Sequence, residues 1–338
     1  MKVSAIIGAL SLGLLALGSS ASWAAGPAAV DIHQDPTAVG SPVGSREPMT
    51  VKFHLEAKEV LGKLSEKETF NYWTFNGKVP GPMLRARVGD TIEVTLSNAK
   101  DSLMTHSVDL HAVWGQGGGA ELTSVAPGES KTFTFKALHA GLFVYHCATP
   151  VIPQHISSGM YGMILIEPKG GLPKVDKEFY IMQGDMYVEG KGTQKDFSQD
   201  LLLAEHPTHV VMNGSAAALA ANPMKVKVGD NVRVFFGVGG PNLTSSMHAI
   251  GTIFDKVYNP SITSAPLTDV QTTLVAAAGS AMIEFKARVP AKYIFVDHSL
   301  SRLMKGNVAI MVAEGPAQPD LYRAGAADAK SVAKPAKK

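Results

Sequence analysis

At 338 residues, 45% of them hydrophobic and 18% charged, the chain is long enough to bury two cores of ordinary size and has the composition of a soluble globular protein. Lys+Arg 31 against Asp+Glu 29 leaves a net charge of +2, which argues against nucleic acid or an anionic membrane surface as a partner.

Residues 1–25 read as a secretory signal. Lys2 forms a minimal n-region, Ala5 to Gly18 an apolar stretch, and Ser22-Trp-Ala24 a small-x-small cleavage site. The apolar run is shorter than the roughly 20 residues of a membrane span. With no cysteine near the cleavage site, a lipoprotein anchor is not expected either, so the mature protein is expected to be exported without a stable membrane anchor. Residues 26–48 are rich in Pro, Gly, Ala and Ser and are expected to form a flexible leader, with His33 solvated.

From Met49 onward, short alternating runs such as Val51-Lys-Phe-His-Leu55 and Thr91-Ile-Glu-Val-Thr-Leu96 predict half-buried strands. Helical periodicity is confined to Ser198–Glu205 and Ser301–Lys305. An internal repeat is visible. Pro82-Met-Leu-Arg-Ala-Arg-Val-Gly-Asp-Thr-Ile-Glu-Val94 returns as Pro223-Met-Lys-Val-Lys-Val-Gly-Asp-Asn-Val-Arg-Val234, and Phe135-Lys-Ala137 returns as Phe285-Lys-Ala287. An all-β fold of two tandem β-sandwiches is therefore expected, over 49–168 and 177–314, joined by a linker at 169–176. Residues 315–338, Ala- and Lys-rich without apolar periodicity, are expected to be a flexible tail.

The stretch from Phe143 to Met160 organises the first half. It contains the only cysteine, Cys147, preceded directly by His146 and followed by His155 and Met160. An exported protein with one cysteine can form no internal disulfide, which favours a metal role for the thiol. Thiolate, imidazole and thioether are the ligands of a blue-copper electron-transfer site, and the thioether argues against zinc. In a strand, adjacent residues face opposite ways. His146 and Cys147 must therefore point to different sides, as must His106 and the Asp109/His111 pair in Thr105-His-Ser-Val-Asp-Leu-His111. Ligand chemistry then sorts the residues. One side gathers His106, Cys147, His155 and Met160. The other gathers His111 and His146, with Asp109 close by and no soft ligand.

With Phe75-Asn-Gly-Lys-Val-Pro-Gly-Pro82 and the segments Gly240–Ile250 and Val296-Asp-His298, the chain from about residue 50 to 314 resembles the copper-containing nitrite reductases, in particular their shorter-loop subgroup. The resemblance implies two Greek-key cupredoxin domains, a homotrimer and two copper ions per chain. It implies a type 1 copper on His106, Cys147, His155 and Met160, and a type 2 copper on His111, His146 and His298, the last from an adjacent subunit. It further implies Asp109 and His248 as catalytic proton carriers and Ile250 as the roof of the substrate pocket. In the repeat, His248 is aligned with His106 and Asp297 with Cys147.

The expected reaction is one-electron reduction of nitrite to nitric oxide and water, a denitrification step in the periplasm. Its electrons would come from a small cupredoxin or c-type cytochrome, by way of the type 1 and then the type 2 copper. Two rival readings carry discriminating features. A two-domain multicopper oxidase needs His-x-His pairs, and none occurs among the eleven histidines. A non-enzymatic electron carrier or copper-handling protein would not need the second ligand set.

Overall fold

A computed structural model describes residues 28–325. The expected signal over 1–25, the first two residues of the leader and the tail beyond 325 lie outside that range. Strands dominate, and they form four sheets. The expected local pattern is plain in Thr91–Asn98, where Ile92, Val94, Leu96 and Asn98 are buried and the residues between them are half-buried. By contrast, Tyr161–Glu167 is buried at every position. One face lines the first sandwich with Ile164 and Ile166, while Tyr161, Met163 and Leu165 join a cluster shared with Tyr180, Met182, Phe235 and Met282 of the second half. The two brief helical candidates are present as the α-helix Gln199–Leu203 and the 3-10 turn Leu300–Lys305.

The first sandwich sets the sheet built on Thr50–Lys63, Thr69–Phe75, Thr91–Asn98 and Ser130–Lys136 against a four-stranded sheet ordered Leu84–Arg87, Tyr161–Glu167, Gly141–His146, Asp109–Leu110. The second sandwich repeats this layout, with Met224–Lys227, Ala309–Glu314, Ala291–Asp297 and Ser245–Ile250 in the corresponding order. One exchange departs from a simple tandem. Val188–Glu189 and Gln194–Phe197, from the second half of the sequence, extend the first sheet alongside Thr69–Phe75.

Charged groups also join the halves. Arg85 bonds Glu178 at 2.7 Å, and Glu178 bonds Arg233 at 2.8 Å, with both arginines almost fully buried. A buried charge chain is stable only while every member keeps its partner.

The expectation of a flexible leader does not hold for 28–48. Ile32 is fully buried, His33 bridges Val79 in a short parallel contact, and Arg46 grips Asp90 at 2.7 Å. Its Pro- and Gly-rich composition suits an extended chain that borrows hydrogen bonds from its neighbours, such as Val43 N–H donating to Glu167 at 2.9 Å.

Candidate metal centres

Strand Gly141–His146 runs out at the pair His146 and Cys147, and the pleat sends their side chains to opposite faces. On the inner face, Cys147 Sγ lies 3.3 Å from His155 Nδ1 and 3.9 Å from His106 Nδ1, and these ligand atoms all lie within 4.8 Å of one another. All three residues are buried. His155 rides on the short helix Ile152–Ser157, which has a proline in its first turn. Two backbone bonds then bring the loop's end back. Met160 N–H donates to His155 O at 3.1 Å, and Cys147 N–H donates to Met160 O at 3.0 Å. Met160 is thereby buried in the same apolar cluster as Cys147. Trp73 walls the site, its ring 4.6 Å from that of His155 and 5.9 Å from that of His106.

The electrostatics suit a metal. Burial lowers the pKa of His106 to about 3 and that of His155 to about 4, so both rings stay neutral and keep a lone pair free. Burial raises the Cys147 thiol, while hydrogen bonds from Ser107 and Thr149 pull it back; the Ser107 amide donates to Sγ at 3.5 Å. A soft sulfur with two imidazoles, no carboxylate and a dry apolar wall is a donor set that copper fits. A pH dependence follows for the copper-free protein. The folded histidines refuse protons that the unfolded chain accepts below about 6.5, so their stabilisation is complete above that pH. It drains as pH falls toward 4 and then 3. The thermal midpoint of the copper-free protein should drop by several degrees between pH 7 and 4, and by less in His106→Gln.

On the outer face, Asp109, His111 and His146 form a second cluster whose ligand atoms also lie within 4.8 Å of one another. Asp109 is the direct cross-strand partner of His146. His146 Nδ1 sits 3.0 Å from the Cys147 carbonyl; donation there leaves Nε2 as the free lone pair, 3.1 Å from His111 Nε2. Repulsion from His146 and burial lower the His111 pKa, against the pull of Asp109, with burial the largest effect. Two imidazoles beside a carboxylate, with no sulfur among them, make a harder, more open site than the first. His111 also lines a cleft of about 220 Å³ closed from the second half by Pro260, Ser261 and Ser280.

Sequence reasoning missed one residue here. Gly117, Gly118 and Gly119 all have positive φ, at 57°, 57° and 102°, and the middle one lies against Asp109. A Cβ on Gly118 would fall 1.8 Å from Asp109 Oδ1, so the glycine sets where the carboxylate can lie. Three glycines in a row just after the His111 segment were the available signal.

His248 and His298 come together in the second half, with ring centroids 5.1 Å apart and planes at 83°. The Gln271 carbonyl holds His248 Nδ1 at 2.7 Å, and Ile250, two residues on, is 43% exposed. His298 is exposed at the end of Ala291–Asp297. Among the described residues of one chain, neither histidine joins the Asp109–His111–His146 cluster.

Strand register corrects two expectations. The segment Thr105–His111 is not one strand. It is an isolated bridge at His106 to Val125, followed by the two-residue strand Asp109–Leu110. The alignment of His248 with His106 also fails. Asp109 pairs with His146, the residue before Cys147, and His248 pairs with Val296, the residue before Asp297. The counterpart of His248 is therefore Asp109, and that of His106 is Ser245.

The multicopper oxidase family matches residues 57–171. Over 281 residues the chain is 50% identical to a copper-containing nitrite reductase of Neisseria meningitidis, covering 81% of this chain and 72% of the relative. A copper-containing nitrite reductase of Cereibacter sphaeroides is 34% identical over 82% of this chain and 80% of its own. Among solved structures, a copper nitrite reductase of Nitrosomonas europaea superposes with TM-score 0.72 at 33% identity, covering 80% of this chain and 96% of that one. A multicopper oxidase at 24% identity and TM-score 0.68 shares the fold.

Proposed function

Because the chain belongs to the copper-containing nitrite reductases, we propose how its residues divide the work of reducing nitrite to nitric oxide. The protein is a copper-dependent oxidoreductase of two cupredoxin-like sandwiches that takes electrons from a redox partner. Each turnover consumes one electron and two protons per nitrite and yields nitric oxide and water.

His106, Cys147, His155 and Met160 would hold a type 1 copper, and His111 and His146 a type 2 copper, with His298 from an adjacent copy as its third ligand. Copper bound at these sites supplies one-electron redox chemistry at the thiolate and a Lewis acid with an exchangeable position at the imidazoles. The observation that carries this reading is the junction of His146 and Cys147. Covalent neighbours belong to two different ligand clusters, so the backbone itself forms a short through-bond path between them. An electron carrier would have no use for the outer cluster.

Asp109 would deliver one proton to a nitrite oxygen, and His248, from the copy that supplies His298, the other. A carboxylate and an imidazole are the two side-chain types best suited to passing protons in a two-proton step. Ile250, two residues from His248, would cover the substrate. Gly118→Ala is expected to push the Asp109 carboxylate aside, leaving both coppers bound while kcat falls by at least about tenfold; steady-state kinetics with parallel metal analysis checks this.

Three further assignments have supporting observations. Exposed Leu103 and Met104 beside His106, with Val151 and Ile152 at the start of the His155 helix, make an apolar surface suited to a small cupredoxin or c-type cytochrome as donor. Leu300, Leu303 and Met304 are exposed next to His298, as a homotrimer interface would require. No helix among the described residues is long and apolar enough to cross a membrane, which is compatible with a periplasmic enzyme exported by the 1–25 signal.

The decisive experiment is anaerobic turnover of nitrite by copper-loaded protein with a reduced dye, with nitric oxide followed directly. Two coppers per chain, one with intense visible absorption, and nitric oxide formed stoichiometrically are the expected result. Copper and colour without turnover would leave an electron carrier.

A further inference from the structure

The second sandwich keeps the frame of the first centre and replaces all four of its ligands. Cys147 lies opposite Met160, and the same register in the second copy sets Asp297 opposite Asn307. His106 bridges Val125, and its counterpart Ser245 pairs with Val275. The loop from Asp297 to Asn307 is three residues shorter than that from Cys147 to Met160 (10 positions against 13), yet it closes in the same way. Asn307 N–H donates to Arg302 O at 3.1 Å, as Met160 N–H donates to His155 O at 3.1 Å. Arg302 therefore stands in the place of His155.

We propose that this former metal frame is now an ion-pair lock, with the Arg302 guanidinium supplying the positive charge and Asp297 the anion in place of a thiolate, and that the lock positions His298 and His248 for the neighbouring copy. The inference rests on the role proposed above for His298.

The hydrogen bonds define the lock. Asp297 is fully buried. Its Oδ2 accepts from Arg302 Nη1 and from Gln183 Nε2, the latter at 3.3 Å. Its Oδ1 accepts from the backbone amides of Ser246 at 3.1 Å and Ser299 at 3.0 Å. The Ser246 amide is the counterpart of the Ser107 amide that donates to Cys147 Sγ, so the same backbone donor serves an anion in both copies. His298 sits between Asp297 and Ser299, and its own amide donates to Ser246 O at 2.8 Å. Ser246 is two residues before His248 on the same strand. One carboxylate thus ties both flanks of His298 to the strand bearing His248. Arg302 is braced in turn by Thr244 O at 2.6 Å, and Asn307 Oδ1 accepts from Asp297 N–H at 2.7 Å. Ser245 Oγ, in the place of His106, is buried without a partner, as expected where a ligand side chain has been lost.

A buried carboxylate needs a paired charge, and a guanidinium held at fixed geometry provides one. Groups that orient metal ligands from behind typically govern metal affinity by 10- to 100-fold. Arg302→Met in the full-length, copper-loaded protein should therefore keep the intense visible band of the first centre. Its type 2 copper should be lost to a competing chelator at about ten- to a hundredfold lower concentration, with an altered EPR signal. Arg302→Lys should recover most of that affinity, and Asp297→Asn repeats the test if the Met variant does not fold. Wild-type type 2 affinity and EPR in these variants, whatever their thermal midpoint, would overturn the lock and leave a purely structural ion pair. His298→Ala separates the two readings. If it keeps its type 2 copper, the assignment of His298 fails and the lock with it; if it loses copper while Arg302→Met does not, only the lock fails.

Discussion

Cys147→Ala should abolish the intense visible absorption, keep type 2 copper, and cut donor-driven nitrite reduction to below about a hundredth of wild type. Changing groups behind a metal ligand already costs about 10- to 100-fold, so removing the thiolate itself sets that figure as a floor. The variant takes away the thiol sulfur that His106 and His155 face, at 3.9 and 3.3 Å, and with it the ligand atom through which the inner cluster connects to the backbone next to His146. His146 and His111 remain in place, because their geometry depends on the Cys147 carbonyl and on the Val144 carbonyl, which the substitution preserves. Metal analysis, the visible spectrum and turnover with a protein donor should be measured on the same sample. Full turnover without the colour would show that electrons reach the outer cluster by another route.

Asp109→Asn is the complementary case, with spectra intact and chemistry lost. Asparagine has nearly the same shape, fits beneath Gly118, and leaves the His146 pairing undisturbed, but it carries no transferable proton. General acid catalysis typically contributes about 10²- to 10⁴-fold, or about 3–5 kcal/mol of barrier. The loss should fall on kcat more than on KM if the proton is delivered in the transition state. Unchanged kcat would remove Asp109 from the proton path. Comparison with Gly118→Ala is informative, because that variant keeps the carboxylate and changes only where it lies.

Much of the site was legible because it is local. His146 and Cys147 are adjacent, and the pleat of a strand leaves no choice about their divergence. His155 and Met160 follow within one loop, and their ligand types restrict the metal. The parity argument assumed a continuous strand, whereas the segment is a bridge and a two-residue strand; side-chain clustering, not parity, sets His106 apart from Asp109 and His111. The repeat was legible from its conserved turns and strand ends. The leader was misjudged because Pro- and Gly-rich composition reports weak local preference and is silent about docking; Ile32 and Arg46 are anchored by residues far along the chain.

What the sequence determined by itself was chemical identity and order: one thiolate, the histidines and methionine beside it, and two copies of one β framework. Tertiary structure decided correspondence and direction. Only strand pairing showed that His248 matches Asp109, that Ser245 matches His106, and that Arg302 takes the place of His155. Only packing showed that Gly118 limits Asp109, and that His298 stands with His248, apart from the cluster it is proposed to complete. The physical reason is that side-chain alternation is a property of two neighbouring residues, whereas register is set by hydrogen bonds between strands that may lie 50 or more residues apart, as Met247 and Asp297 do.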